Sequence, residues 1–291
     1  MRDKHLTNDF FRLPIFMDLY CVMGNPVAHS RSPWIHARFA ELTGQTLHYE
    51  KRQIELDGFG AAVRAFMAEG GRGCNITVPF KFEAAALATH TSERAQLSLA
   101  SNTLTFQNGA ILADNTDGAG LVNDIQRNAG LDLNGRHLLL IGAGGASAGV
   151  LGPLIQARPA SITVANRTLS KADTLVARHT TLALLHKTEL LARDLQGLKG
   201  NFDVVINASA SSLSGASVPV AASTLKPGAL AYDMMYGPAA QDFMTWAGEH
   251  GALARDGLGM LVEQAAEAFL IWRGVQPPSQ QVLAELRAVM G

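Results

Sequence analysis

The stretch HLLLIGAGGASAGVLGPLI, residues 137–155, constrains the fold more than any other part of the chain. It runs from a short continuous apolar segment through a glycine-rich turn into small and apolar residues. That is the strand, turn and helix of a βαβ unit, the context in which a glycine pattern signals dinucleotide binding. Gly142 permits the tight turn, and Gly144 and Gly145 let backbone approach a pyrophosphate. The helix N-terminus beyond them offers unpaired N–H groups and the positive end of a dipole. Ser147 takes the place of a third glycine and is small enough for close packing. The runs SITVA (161–165), FDVVINAS (202–209) and ALAYDMMYG (229–237) supply further buried strands. Sheets of this kind bind ligands at the C-terminal ends of their strands.

The turn after SITVA carries Asn166, Arg167 and Thr168, with Lys171 just beyond. An NAD site usually places an acidic residue here to accept from the ribose 2′-hydroxyl, and none is present. Arg167 instead suits a 2′-phosphate, which a guanidinium binds bidentately, and Lys171 adds a second positive charge. Charge alone therefore favours NADP over NAD.

The residues before this unit follow a different pattern. LYCVMG (19–24) reads as a strand ending in the breaker cluster Gly24-Asn25-Pro26, followed by the loop VAHSRSP. Ser32 before Pro33 is a helix-start signal, with Ser32 expected at the N-cap and Pro33 at the first helical position. Ser30 and Ser32 beside that N-terminus could hold a polyhydroxylated acid, although such a pair on its own is more often a cap and turn former. A strand near Leu47–Ile54, a helix near Phe59–Glu69 and a glycine turn at Gly70–Gly73 follow. The strand CNITV then stops at Pro79, and Lys81 opens a helix. The helix dipole disfavours a lysine in the first turn, which raises the prospect of a functional reason for it, though a lone lysine is usually solvated.

NTLTFQNGAILADNTDG reads as a hairpin about Asn108-Gly109, with Asn102 at one end and Asp117 at the other. An amide, a lysine and a carboxylate thus leave apolar runs where the chain turns, and these are the parts of a proton-transfer site. Taken alone, Asp117 before Gly118 also reads as a helix N-cap. From Asp256 the pattern changes to a glycine-punctuated turn and a long helix bearing Gln264, a residue that at mid-helix is usually on the surface.

At 291 residues, 47% hydrophobic and 17% charged, the chain has material for two folded domains. A net charge of −1 gives no global attraction to nucleic acid or membrane. Cys21 and Cys74 sit in strand-like runs and suggest buried free thiols in a reducing cytoplasm rather than a disulfide framework. No metal-spaced cluster is present, and residues 1–18 carry no readable signal beyond a surface arm or extra edge strand.

In order along the chain, GNPVAHSRSP (24–33), NITVPFK (75–81), SNTL (101–104), DNTDG (114–118), GAGGA (142–146), NRT (166–168), YDMMY (232–236) and DGLGMLVEQA (256–265) resemble the motifs of the shikimate dehydrogenase family, over nearly all of the length from Tyr20. The resemblance implies an α/β enzyme of two domains. A substrate-binding and catalytic domain, residues 1–117 plus 257–291, would be interrupted by a Rossmann-type NADP-binding domain, residues 118–256, with a C-terminal helix returning to the first. It implies reversible reduction of 3-dehydroshikimate to shikimate with NADPH, on the route to chorismate and the aromatic amino acids. The enzyme would be cytoplasmic, a monomer or homodimer, and would bind small molecules but neither nucleic acid nor membrane.

By matching position, substrate contacts would come from Ser30, Ser32, Thr77, Lys81, Asn102, Asp117, Tyr236 and Gln264. Lys81 would be the proton donor and acceptor, with Asp117 orienting it. Cofactor contacts would come from Gly142, Ala143, Gly144, Gly145 and Ala146, from Asn166, Arg167, Thr168 and Lys171, and from Met234 and Gly257. The chain departs from the family pattern at Ala148 and Lys171, where many members have Arg, and at Ser212, where Gly is common. Two other readings stay open: a relative acting on quinate or with NAD, and an NADP-binding protein without activity on the same scaffold.

Overall fold

A computed structural model of the protein describes residues 17–209 and 220–290. Ser212 and most of the N-terminal arm lie outside these residues. The described chain forms two six-stranded sheets. In the first part, β1 (Asp18–Gly24), α1 (Ser32–Thr43), β2 (Leu47–Gln53), α2 (Phe59–Ala68), β3 (Gly71–Ile76), α3 (Lys81–Leu87), β4 (His90–Thr91), α4 (Glu93–Ser98), β5 (Thr103–Gln107) and β6 (Ala110–Asp114) follow one another. The sheet order is β2-β1-β3-β5-β6-β4. Strand β1 is parallel to both β2 and β3, whereas β5 runs antiparallel to β3 and β6. The hairpin between β5 and β6 turns at Asn108 (φ 51°) and Gly109 (φ 78°), as the sequence predicts.

Then α5 (Asp117–Asn123) runs into a π-helical turn, Asp124–Asn128, and leads to β7 (His137–Ile141), α6 (Gly145–Gln156), β8 (Ser161–Asn166), α7 (Leu169–His186), β9 (Glu189–Asp194), β10 (Phe202–Asn207), β11 (Leu225–Asp233), α8 (Gln241–Glu249) and β12 (Leu253–Arg255). The order β9-β8-β7-β10-β11-β12 is wholly parallel and doubly wound. Its switch point lies between β7 and β10, where such sheets form a crevice. Strand β7 is buried on both faces because helices cover both, which is why HLLLI reads as an unbroken apolar run rather than an alternating one. The chain ends with α9 (Leu258–Arg273) and α10 (Ser279–Met290).

Helices α9 and α10 return to the first sheet. Phe269, Val262, Val282 and Leu286 pack with Ile35 and Phe39 of α1 in one apolar cluster. Between the two sheets, α5 lies against α9. That approach depends on Gly120, where a Cβ would lie 2.7 Å from the backbone nitrogen and Cβ of Gln264.

Three local expectations need correction. Arg31, not Ser32, holds the cap position of α1, and Ser32 is already helical. The Ser30 hydroxyl accepts from the Ser32 amide at 3.3 Å, so the loop is folded toward the helix one residue earlier than the Ser-Pro signal suggests. Asp117 likewise is the first residue of α5, behind Thr116, because the Asn102 side chain already holds the Thr116 amide. Of the glycines 70–73 only Gly70, at φ +92°, makes the turn. Gly71 and Gly73 belong to β3, where Phe66 and Trp272 leave no room for a side chain.

Candidate active site

The facing ends of the two sheets enclose a cavity of about 430 Å³. All eight residues expected to contact substrate line it: Ser30 and Ser32 at the start of α1, Thr77 and Lys81 around the end of β3, Asn102 before β5, Asp117 at the start of α5, Tyr236 after β11, and Gln264 within α9. They converge because each stands at the end of an element or, for Gln264, on the α9 face that Gly120 admits.

The centre of the group is a polar cluster. Lys81 Nζ donates to Asp117 Oδ2 at 2.5 Å, and Asn102 Nδ2 donates to Asp117 Oδ1 at 2.8 Å. The amide of Asn102 also donates to Thr116 Oγ1 and Gln264 Oε1, while its oxygen accepts from the Thr116 backbone amide at 2.8 Å. The Lys81 side chain is 20% exposed and that of Asp117 8%, so the ammonium faces the cavity while the carboxylate is held behind it. A carboxylate so placed loses most of its water and depends on these donors. The arrangement can present one charged, oriented N–H group to a bound oxygen. Gln264 is buried here and anchors its own amide on the Leu261 carbonyl, contrary to the usual surface position of a mid-helix glutamine.

Across the cavity, burial pushes the Tyr236 phenol above its ordinary pKa, with Arg31 pulling weakly the other way. The phenol therefore stays protonated at neutral pH, a neutral donor suited to an oxyanion. The expected residues did not include Asn75, which lines the same cavity, donates to the Asn102 carbonyl and the Thr103 hydroxyl, and accepts from Tyr49 at 2.8 Å. An asparagine inside the apolar strand CNITV was the available signal, since a buried amide must find partners. His29, Ser209 and Met260 also line the cavity; they lie within the segments named above but were not among the residues expected to contact a ligand.

Of the residues expected to bind a nucleotide, Ala146, Met234 and Gly257 line the same cavity, which joins the glycine turn to the cluster around Lys81. Ala143, Gly144, Gly145 and Lys171 line a second cavity, also about 430 Å³, on the other flank of that turn. Gly142, Asn166, Arg167 and Thr168 line neither; Gly142 makes the turn at φ +108°, Asn166 ends β8, and Arg167 and Thr168 follow it. The turn suits a pyrophosphate on two counts. A side chain at Gly144 would meet no atom within 4 Å, so backbone lies open there. Ser147, in the first turn of α6, carries a fully buried hydroxyl with no hydrogen-bond partner.

Known proteins resemble this chain over nearly its whole length. The model of the shikimate dehydrogenase substrate binding domain matches residues 22–104, that of shikimate / quinate 5-dehydrogenase residues 124–218, and that of the shikimate 5′-dehydrogenase C-terminal domain residues 257–287. The chain is 68% identical over 273 residues to the shikimate dehydrogenase (NADP(+)) of Acidovorax sp. (strain JS42), covering 94% of this chain and 97% of that one. Among solved structures it resembles an Ael1 enzyme from Pseudomonas putida, with a TM-score of 0.84 and 44% identity over 92% of this chain and 98% of the other. It also resembles shikimate 5-dehydrogenase from Thermus thermophilus in complex with NADP(H) and shikimate, with a TM-score of 0.79 and 28% identity over 94% and 99% of the two chains.

Proposed function

The chain belongs to the shikimate dehydrogenase family, and from that premise we propose that Lys81 and Asp117 perform the proton transfer of its reaction. The reaction is the reduction of 3-dehydroshikimate to shikimate with NADPH, a step of the shikimate pathway. The observation that carries the residue assignment is the 2.5 Å contact of Lys81 Nζ with Asp117 Oδ2 at the wall of the cavity that all eight candidate ligands line.

When bound, the cofactor supplies the hydride. The protein's residues bind and orient the ring and supply one proton. Lys81, as the ammonium, donates its proton to the oxygen that becomes the new hydroxyl, and takes one back in the reverse direction. Asp117 accepts from that ammonium and aims it, and Asn102 fixes Asp117. Ser30, Ser32 and Tyr236 hold the substrate carboxylate, Asn102 and Gln264 join the Lys81–Asp117 pair in contacting the ring hydroxyls, and Thr77 is a further substrate contact. On the cofactor side, the turn from Gly142 to Ala146 receives the pyrophosphate. Asn166, Arg167, Thr168 and Lys171 take the adenosine 2′-phosphate end, and Met234 and Gly257 the nicotinamide end.

In this reading residues 1–117 plus 257–291 act as the substrate-binding domain and 118–256 as the NADP domain. No helix among the described residues is long and apolar enough to cross a membrane. The enzyme works in the cytoplasm as a monomer or homodimer, without nucleic acid. Initial rates of NADPH oxidation with 3-dehydroshikimate, run beside NADH and beside dehydroquinate, test the reading. Fast turnover is expected with NADPH and dehydroshikimate alone. Comparable turnover with dehydroquinate or NADH would move the chain to a broader-specificity role, and NADPH binding without turnover would contradict the activity.

A further inference from the structure

The cavity on the outer flank of the glycine turn continues past Lys171 along α7 and ends at Arg178, a residue outside the nucleotide-binding motifs. Lys171, Thr174 and Arg178 stand on one stripe of that helix and face Gly145 and Ala148 of α6. Lys171 and Arg178 stand about two turns apart on α7, and because long side chains on a helix incline toward its N-terminus, Arg178 is directed toward the Lys171 end of the cavity.

We propose that Arg178 is a specificity-determining residue that closes, with Lys171, a cationic clamp on the 2′-phosphate of the cofactor. The inference rests on the NADP reading above and extends it to a residue that reading does not include. Three observations carry it. Among the described residues neither Lys171 nor Arg178 makes an ion pair, whereas Arg38, Arg52, Arg94, Arg255 and Arg273 are each paired with a carboxylate. Among the described residues no acidic side chain lines the cavity, so the two cations on its α7 wall meet no opposing carboxylate there and give it a positive potential that suits an anion. Ala148 forms the α6 wall with a single methyl group, which leaves room for a phosphate monoester between the two helices. A guanidinium offers several N–H donors to phosphate oxygens in a fixed plane, whereas Lys171 supplies a point charge.

Equilibrium binding separates this role from a structural one. The full chain and its Arg178→Gln and Arg178→Lys variants are titrated calorimetrically with 2′,5′-ADP and with 5′-AMP, which differ only in the 2′-phosphate. Arg178→Gln is expected to weaken 2′,5′-ADP about tenfold and leave 5′-AMP within about twofold, and Arg178→Lys to restore most of the loss. The KM for NADPH should rise in Arg178→Gln while kcat and the KM for NADH hold. If Arg178→Gln keeps the wild-type preference for 2′,5′-ADP, or weakens both nucleotides alike, the inference is overturned and the NADP reading stands. Equal wild-type affinity for the two nucleotides would overturn the NADP reading and the inference with it. Arg178→Lys keeps the charge, so it reports even where the glutamine variant folds poorly.

Discussion

Asn102 Nδ2 donates to Asp117 Oδ1 at 2.8 Å, so the carboxylate that accepts from Lys81 on one oxygen is held on the other by an amide from a different element. Lys81 and Asp117 belong to the starts of α3 and α5, and each could turn away from the other. Asn102 limits that freedom by tying the loop before β5 to both Thr116 and Asp117.

Replacing Asn102 by Ala should therefore affect chemistry as well as folding. The variant loses the donor to Asp117 and leaves the buried Thr116 amide without its partner. A loss of stability of about 1–3 kcal/mol is expected from the unsatisfied group. Turnover should fall by more than the folded fraction explains. Urea unfolding together with kcat at saturating substrates checks this; unchanged kcat in the folded variant would remove Asn102 from the positioning of Asp117.

His36 makes acid stability specific. Its ring is fully buried, stacked on Tyr49 at 4.3 Å between centroids, and neither nitrogen has a hydrogen-bond partner. Burial lowers its pKa to about 3. The unfolded chain thus binds a proton near the ordinary histidine value of about 6.5 while the folded chain does not. Stability from this group is present above that value and is lost as pH falls from about 6.5 toward 3. Wild type should lose about 2 kcal/mol more than His36→Phe between pH 7 and pH 5. Urea midpoints of both proteins at the two pH values decide it, and parallel losses would show that His36 is not the group responsible.

The Asp124 carboxylate is fully buried in the π-helical turn and accepts from Arg255 Nε at 2.8 Å, Arg255 Nη2 at 2.6 Å and the Tyr232 hydroxyl at 2.8 Å. Arg255→Leu removes the compensating charge and should destabilise the protein by about 3–5 kcal/mol, the usual consequence of breaking a buried pair. Adding Asp124→Asn should recover part of that loss. A double variant as unstable as the sum of its single changes would show that the two side chains do not interact.

Much of the fold is legible in the sequence, for identifiable reasons. The glycine turn between an apolar strand and an apolar helix announces the second sheet, and Asn108-Gly109 announces the hairpin, because in both places local geometry dictates residue type. The proton-transfer residues are visible only as isolated polar groups at turns, and joining them needs the family motifs. Gln264 shows the limit. Nothing in the α9 sequence distinguishes a glutamine on a water-facing side from one facing Asn102, since the difference is made by Gly120 on another helix. Helix starts at Ser32 and Asp117 are misplaced by one residue because Ser30 and Asn102 engage the backbone there from outside the helices.

Lys81→Ala, measured for single-turnover reduction of 3-dehydroshikimate and for equilibrium binding of NADPH, tests the central assignment most directly. The proton-transfer role predicts a rate lower by roughly 10²–10⁴-fold with the NADPH dissociation constant unchanged. A rate close to wild type, with dehydroshikimate bound in the same protein, would contradict it and leave the Lys81–Asp117 contact as a structural ion pair.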